Sequence, residues 1–362
     1  MSATAEDFRW MARALELAAR GLFTTTPNPR VGCVIVRDGK VIGEGWHVRA
    51  GEAHAEVHAL AMAGESARGA TAYVTLEPCS HHGRTPPCAD ALVQAGVQRV
   101  VVAMSDPNPL VSGRGLQRLR DAGIDTLAGV QEGEARELNI GFISRMARGR
   151  PWLRLKAAAT LDGKTALENG VSQWITGEDA RRDAHRWRAR SCAVLTGIGT
   201  VRDDDPQLNV RAVATERQPL RVVVDARLDT PLNARLLDGG PVLIAAAVDN
   251  PERIAAPQRR GADVVVLPND GGKVDLNALM LELGRRGLNE VTAESGFKLN
   301  GSLLREGCVD EIVLYLAPFL VGDAARGLFN LPALSALADK RPLNIRDVRM
   351  VGQDLRILAR PA

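Results

Sequence analysis

His54, Cys79 and Cys88 are side chains of the types that hold zinc, and Glu56 lies two residues after the first of them. Three protein ligands leave a fourth position open, and a water polarised there has its pKa lowered to roughly 7. The carboxylate of Glu56 then suits a proton shuttle, taking a proton from that water and passing it to a leaving group. A closed structural site needs a fourth ligand, which His58, His81 or His82 could supply. Taken singly, His54 and Glu56 also read as ordinary helix-start residues, and the cysteines as buried thiols.

Alternating elements must bring these groups together. A helix starting near His54 turns Val57, Leu60 and Ala61 inward, a strand over 72–76 leads to Cys79, and a helix over 89–95 follows Cys88. This order places the ligands at one end of a sheet, where helix N-termini favour thiolates. Upstream, an amphipathic helix within 1–20 precedes apolar runs 31–36 and 41–46, which flank Arg37-Asp38-Gly39-Lys40 as a hairpin. A strand over 99–103, a helix near 115–122, a strand over 124–128 and a helix over 132–147 complete an α/β sandwich. Gly149-Arg150-Pro151 ends it, giving domains 1–148 and 149–362.

In the second domain, strands over 152–159, 193–196, 220–225, 242–246, 263–267, 290–293 and 311–316 alternate with helices over 178–190, 276–286 and after Gly296. A parallel-rich sheet is expected. Apolar runs 348–351 and 355–358 around Gly352-Gln353-Asp354 predict a terminal hairpin.

With 362 residues, 45% of them hydrophobic, the chain can build two cores. A net charge of +3, from 46 basic and 43 acidic residues, offers no excess for a nucleic-acid backbone and favours a small substrate. No apolar run reaches the eighteen or so residues of a membrane span. The N-terminus, with Glu6, Asp7, Arg9 and Arg13, lacks a signal-peptide core. Five cysteines form an odd set, so Cys33, Cys192 and Cys308 read as small buried thiols in a reducing cytoplasm.

His54-Ala55-Glu56 followed by Pro78-Cys79 resembles the zinc-dependent cytosine and adenine deaminase superfamily. The superfamily's usual two-residue gap between cysteines is here the longer run Ser80-His81-His82-Gly83-Arg84-Thr85-Pro86-Pro87. With Thr75-Leu76-Glu77-Pro78-Cys79 before it, this run is similar to the riboflavin-pathway pyrimidine deaminases, whose inserted loop helps bind substrate. The resemblance implies His54, Cys79 and Cys88 as zinc ligands and Glu56 as general acid and base. It also turns Asn28, His47, Arg84, Asp106 and Asn108 toward the substrate. For Asp106-Pro107-Asn108-Pro109, local turn chemistry is the other reading.

Lys156-Ala157-Ala158-Ala159-Thr160-Leu161-Asp162-Gly163-Lys164, Ser172-Gln173-Trp174-Ile175-Thr176, the run 196–206 and Glu294-Ser295-Gly296 resemble the riboflavin-type reductases. That implies a cytidine-deaminase-like α/β/α sandwich followed by a dihydrofolate-reductase-like α/β domain. Cofactor contacts carried over are Ala158, Trp174, Thr200, Asp204 and the segment Gly296, Phe297, Lys298, Leu299, Asn300, Gly301 and Ser302, whose backbone N–H groups at a helix start suit phosphate. Substrate contacts are Ser172, Arg188, Leu208, Arg211 and Glu294, the two arginines suiting a phosphate. Lys156 and Asp204 match polar positions beside the reacting sugar. Gly197-Ile198-Gly199 lacks the rest of a dinucleotide fingerprint and reads alone as a strand-to-helix turn. Ala226 stands where related reductases often present serine to the cofactor phosphate.

The implied enzyme is bifunctional. It removes an amino group hydrolytically, with zinc, from a diaminopyrimidinone carrying a phosphoribosylamino group, then reduces ribosyl to ribityl with NADPH. It is expected to be a cytoplasmic homo-oligomer that binds pyrimidine ribonucleotides, not nucleic acid or membrane. A nucleic-acid base deaminase and a non-catalytic zinc-stabilised binding protein are the rival readings.

Overall fold

The computed structural model describes residues 2–80, 86–108 and 112–362, and Arg84 lies outside them. The chain divides into two compact units, Met1–Gly149 and Arg150–Ala362.

In the first unit, helix α1 (Ala5–Arg20) precedes the hairpin β1 (Gly32–Arg37) and β2 (Lys40–Trp46). Asp38 and Gly39 both take positive φ, 50° and 69°, as the two central residues of a type I′ hairpin turn do. Then follow α2 (Ala55–Ala63), β3 (Thr71–Val74), α3 (Cys88–Ala95), β4 (Arg99–Val102), α4 (Arg114–Asp121), β5 (Asp125–Ala128), α5 (Glu132–Leu138) and α6 (Ile140–Arg148). The sheet runs β2-β1-β3-β4-β5, with β1 antiparallel to both neighbours and β3, β4 and β5 parallel. Alternate residues of β1 feed opposite cores. Cys33 and Ile35 pack with Ala55, Ala59 and Leu92, whereas Val34 and Val36 pack with Trp10, Met11 and Leu17.

Two expectations for this unit are corrected. The inward face of α2 is Ala55, Glu56, Ala59 and Ala63, with Leu60 partly buried against the same core as expected, while Val57 is only half-buried and Ala61 is exposed. The cause lies in β2, where a Cβ on Gly43 or Gly45 would sit 2.2 Å from the Ala59 carbonyl or 2.3 Å from that of Ala55. Only small residues permit so close a helix–sheet approach. The single helix expected over 132–147 is two helices, α5 and α6. Buried Asn139 breaks it, since its side chain accepts from the Arg30 N–H (2.8 Å) and donates to the Arg30 carbonyl (2.9 Å).

The second unit contains strands β6 (Trp152–Thr160), β7 (Lys164–Ala166), β8 (Ala193–Gly197), β9 (Leu220–Val224), β10 (Val242–Ala246), β11 (Ala262–Val266) and β12 (Glu290–Ala293). Strands β13 (Glu311–Ala317), β14 (Arg326–Gly327), β15 (Leu343–Val351) and β16 (Asp354–Pro361) complete it. Its helices are α7 (Glu178–Arg190), α8 (Ile198–Asp204), α9 (Pro251–Gln258), α10 (Leu276–Arg285) and α11 (Phe297–Arg305). Nine strands run β11-β10-β9-β8-β12-β6-β13-β16-β15, parallel from β11 to β13 and closed by the antiparallel β15/β16 hairpin, longer than its sequence signal. Strands β7 and β14 form a separate pair. Buried Arg154 on central β6 bonds Glu290 of β12 and Glu311 of β13. A buried pair of this kind fixes register more than it adds stability.

Candidate functional site

His54 is the N-cap of α2, Cys88 opens α3, and Cys79 lies in the loop after β3. The ligand atoms of these three side chains lie within 4.8 Å of one another, and they are the one such group among the described residues. His54 Nδ1 is 3.2 Å from Cys88 Sγ and 3.7 Å from Cys79 Sγ, while the Cys88 N–H donates to Cys79 Sγ at 3.2 Å. One imidazole and two thiols converging on a point fit zinc, and among the described residues no fourth ligand joins them, His81 and His82 lying outside those residues.

The hydrogen bond from the Cys88 thiol, with those from His54 and the Cys88 backbone, holds Cys79 down to about 4 despite burial. The same bond, together with burial and the nearby Glu56 carboxylate, pushes Cys88 up. Burial pushes Glu56 up to about 7, against its backbone N–H and the charge of His54. Glu56 is 3% exposed in the first turn of α2, so its carboxyl faces the triad instead of solvent.

Asn28 and His47 come together: Asn28 Nδ2 is 3.1 Å from His47 Nε2, and His47 Nδ1 lies 3.1 Å from the Ala53 carbonyl. The His47 ring meets that of His54 edge-on at 5.5 Å, which puts the pair beside the metal triad. Asp106 Oδ1 accepts the Asn108 N–H at 2.8 Å, the turn chemistry its sequence context offers.

Buried Glu77, two residues before Cys79, had no role assigned from sequence. Its carboxylate accepts four backbone N–H groups, from Asp106 (3.1 Å), Gly113 (2.9 Å), Gly115 (2.9 Å) and Leu116 (3.3 Å). It ties the Asp106 turn and the start of α4 to the cysteine loop. Gly115 makes this possible, since a Cβ there would lie 2.0 Å from the Pro78 carbonyl. Glu77→Gln turns one acceptor into a donor and strands two buried N–H groups, so the first unit should lose about 2–5 kcal/mol. Denaturant unfolding with zinc present checks this, and an unchanged midpoint would refute it.

In the second unit, Arg188 on α7 forks onto Glu294 after β12, with Nε–Oε1 at 2.6 Å and Nη2–Oε2 at 2.8 Å, and its Nη1 donates to the Asn209 carbonyl at 2.9 Å. The two-pronged face expected to grip phosphate is therefore committed to Glu294, which leaves Arg211 as the exposed arginine of the pair. Burial works to raise Glu294, but Arg188, Lys156 and His185 overcome it and hold it down to about 2. Burial pushes Lys156 on β6 down, with Glu294 opposing and Arg188 assisting.

His185, one helical turn before Arg188, is the second residue without a sequence-level role. Its Nδ1 accepts the Arg211 N–H at 3.4 Å, and burial, then Arg188 and Arg211, push it down to about 4. Spacing of three on one helix was the available signal. Leu208 is buried with φ 50°, so its side chain packs inward while its backbone turns in the left-handed region.

Burial, then the neighbouring Asp203, raise Asp204, the last residue of α8, while the nearby Gln173 and Ser172 side chains work to lower it. Ser172 and Trp174 line a cleft of about 200 Å³ with Thr160, Lys164 and Phe319. Trp174 is exposed, under the Arg181 guanidinium at 4.8 Å. Ala158 lies on β6 opposite Tyr315 of β13. Gly197 and Ile198 form the strand-to-helix turn between β8 and α8.

Thr200 Oγ1 would stand 3.8 Å from a Cβ on Gly296, the N-cap of α11, and a Cβ on Gly199 would meet nothing within 4 Å. This open backbone beside a helix start fits a dinucleotide phosphate. The segment 296–302 is narrowed, however. The Asn300 N–H already donates to the Gly296 carbonyl (3.1 Å), so free N–H groups end with Leu299 and exclude Gly301 and Ser302. The Asn300 side chain bonds Ser295 (2.6 Å) and Gly301 backs onto the Asn330 carbonyl, both facing into the fold.

The architecture and the ligand triad define a deaminase-type zinc unit followed by a parallel-sheet reductase unit. Residues 4–104 match the cytidine and deoxycytidylate deaminase zinc-binding region, and residues 151–356 match the RibD C-terminal domain. The chain is 50% identical to the riboflavin biosynthesis protein RibD of Escherichia coli (strain K12), over 97% of this chain and 98% of that one. Against the Aquifex aeolicus (strain VF5) RibD it is 42% identical, over 96% and 97%. Among solved structures, Acinetobacter baumannii RibD superposes with TM-score 0.91 at 45% identity, covering 99% of both chains. A Thermotoga maritima diaminohydroxyphosphoribosylaminopyrimidine deaminase/5-amino-6-(5-phosphoribosylamino)uracil reductase gives 0.87 at 33%, covering 98% and 99%.

The chain belongs to the RibD family of riboflavin biosynthesis proteins. It is a bifunctional enzyme of that pathway, a zinc-dependent deaminase joined to an NADPH-dependent reductase. The cytidine-deaminase-like and dihydrofolate-reductase-like folds implied by its motifs are those it has. Among the described residues, no helix is long and apolar enough to cross a membrane.

Proposed function

We propose that residues 1–148 deaminate 2,5-diamino-6-(5-phosphoribosylamino)pyrimidin-4(3H)-one and that residues 149–362 reduce the ribosyl group of the product to ribityl. The observation carrying this reading is the convergence of His54, Cys79 and Cys88 beside buried Glu56. Zinc held by the three ligands supplies Lewis acidity and makes water nucleophilic at neutral pH. Glu56 takes the proton of the attacking water on its carboxylate and returns it to the departing ammonia. Its burial favours the protonated form that the second transfer needs. Asn28 and His47 hold the pyrimidine beside the triad, Asp106, whose N–H is held by Glu77, and Asn108 contact the ring and ribose, and Arg84 takes the phosphate.

In the reductase unit NADPH supplies the hydride. The chain's residues align the open-chain sugar: Lys156, Asp204 and Glu294 surround the reacting carbon, and Ser172, the Leu208 backbone and Arg211 hold the remainder. Arg188 keeps Glu294 ionised and fixed. Ala158, Trp174, Thr200 and the first turn of α11 receive the cofactor.

The five free cysteines support a cytoplasmic location. A homo-oligomer is supported by the edge strand β15, where Leu343, Ile345, Val348 and Met350 are all exposed.

The test is an assay of the full chain with the diaminopyrimidine nucleotide and zinc, following ammonia and NADPH separately. Ammonia should appear without NADPH, and NADPH should be oxidised only once deaminated nucleotide is present. NADPH oxidation preceding ammonia release would overturn the proposed order.

A further inference from the structure

The segment Asn209-Val210-Arg211, between α8 and β9, is pinned at each of its three residues by a side chain from outside it. Arg188 of α7 donates from Nη1 to the Asn209 carbonyl at 2.9 Å. The Gln218 amide takes Val210 at both ends: its Oε1 accepts the Val210 N–H at 2.7 Å, and its Nε2 donates to the Val210 carbonyl at 2.9 Å. His185, one turn before Arg188 on α7, accepts the Arg211 N–H on Nδ1 at 3.4 Å. Leu208, which leads into the segment, has φ 50°, a conformation that non-glycine residues seldom adopt, and the three pins hold the chain that leaves it.

What the pins present is one guanidinium. Arg211 is exposed, and its Nη1 donates to Asn209 Oδ1 at 3.1 Å, so the side chain is steadied from the same segment. Arg188 nearby is neutralised by its fork onto Glu294. Burial, then Arg188 and Arg235, push Arg211 down, so its surroundings favour an arriving anion. His185 adds no positive charge to them, because burial, then Arg188 and Arg211, push its ring down to about 4. A neutral ring protonated on Nε2 has Nδ1 as its acceptor, which the bond from Arg211 requires. Gln218 stands two residues before β9, and Pro219 after it favours extended backbone, so this clamp is built onto the sheet.

We propose that Gln218 and His185 are positioning residues that, with Arg188, preset Arg211 to meet the phosphate of the reductase substrate. The proposal rests on the reductase reading above, in which Arg211 holds part of the nucleotide. An arginine on a mobile loop loses backbone freedom when a phosphate arrives, whereas one whose backbone is already fixed loses less, and the difference appears as affinity for the phosphate. Gln218 acts through the Val210 backbone, so its effect falls on binding.

Reduction of deaminated nucleotide by the full chain at saturating NADPH, compared with reduction of the same compound lacking its phosphate, tests it. Gln218→Ala and His185→Phe should each raise KM for the phosphorylated compound about 5- to 10-fold, the range of one or two hydrogen bonds, with kcat little changed and KM for the dephosphorylated compound unmoved. His185→Asn, which keeps an acceptor close to where Nδ1 stands, should recover most of that loss. Ribose 5-phosphate should inhibit the unaltered chain more strongly than ribose does, and lose that margin in Gln218→Ala and His185→Phe. An equal rise in KM for both compounds, or none for either, would overturn the positioning role while leaving the reductase reading standing. Gln218 is exposed, so its variant decides the matter even where His185→Phe does not fold. An unaltered chain indifferent to the phosphate would overturn Arg211 as its contact and this proposal with it, and one that reduces neither compound would overturn the reductase reading itself.

Discussion

Cys88→Ser is expected to lose zinc and ammonia release together, while the chain still reduces nucleotide that has already been deaminated. A serine hydroxyl is about the size of the thiol but stays protonated near neutral pH, so it supplies neither the charge nor the soft donor of a thiolate ligand. His54 Nδ1 lies closer to Cys88 Sγ, at 3.2 Å, than to Cys79 Sγ, at 3.7 Å, so the variant removes the thiolate nearest the imidazole and leaves only two ligands. The reductase residues belong to a different unit, whose sheet contains none of these elements. Metal analysis, an ammonia assay and NADPH oxidation with deaminated substrate read the three outcomes separately. Full zinc occupancy with normal ammonia release would remove Cys88 from the site.

The metal triad was legible because its information is local: a single residue parts His54 from Glu56, and a strand–loop–helix sequence carries Cys79 and Cys88. The rest of the deaminase site depends on partners far along the chain. Nothing near Asn139 announces that its amide will clamp Arg30, and nothing in α2 says that its alanines face inward until Gly43 and Gly45 of β2 are seen beneath them. Glu77 stands in a motif visible in the sequence, yet the four N–H groups it receives come from residues 29 to 39 positions downstream. In the reductase unit, Arg188 and Glu294 were both singled out, but their mutual pairing across 106 positions was not. That pairing changes Arg188 from an expected phosphate fork to the group that fixes an acid. Types and short spacings name the chemistry, and tertiary contacts decide which group faces which.

Glu56→Gln should keep zinc and slow ammonia release by about a hundredfold or more, the size of effect that a positioned acid–base group contributes. The two side chains have nearly the same shape, so the packing of Glu56 in the first turn of α2, where it is 3% exposed, should survive. The metal ligands are left intact, because the ligand group is His54, Cys79 and Cys88. What the amide lacks is the ability to take up a proton and give it back. A carboxyl pushed up to about 7 by burial exchanges its proton readily near neutral pH, and a glutamine at the same place cannot. Zinc content and rate should therefore separate in this variant, where in Cys88→Ser they fall together. If zinc leaves along with activity in Glu56→Gln, the carboxylate supports the ligand cluster structurally, and the proton-transfer role assigned to it is wrong.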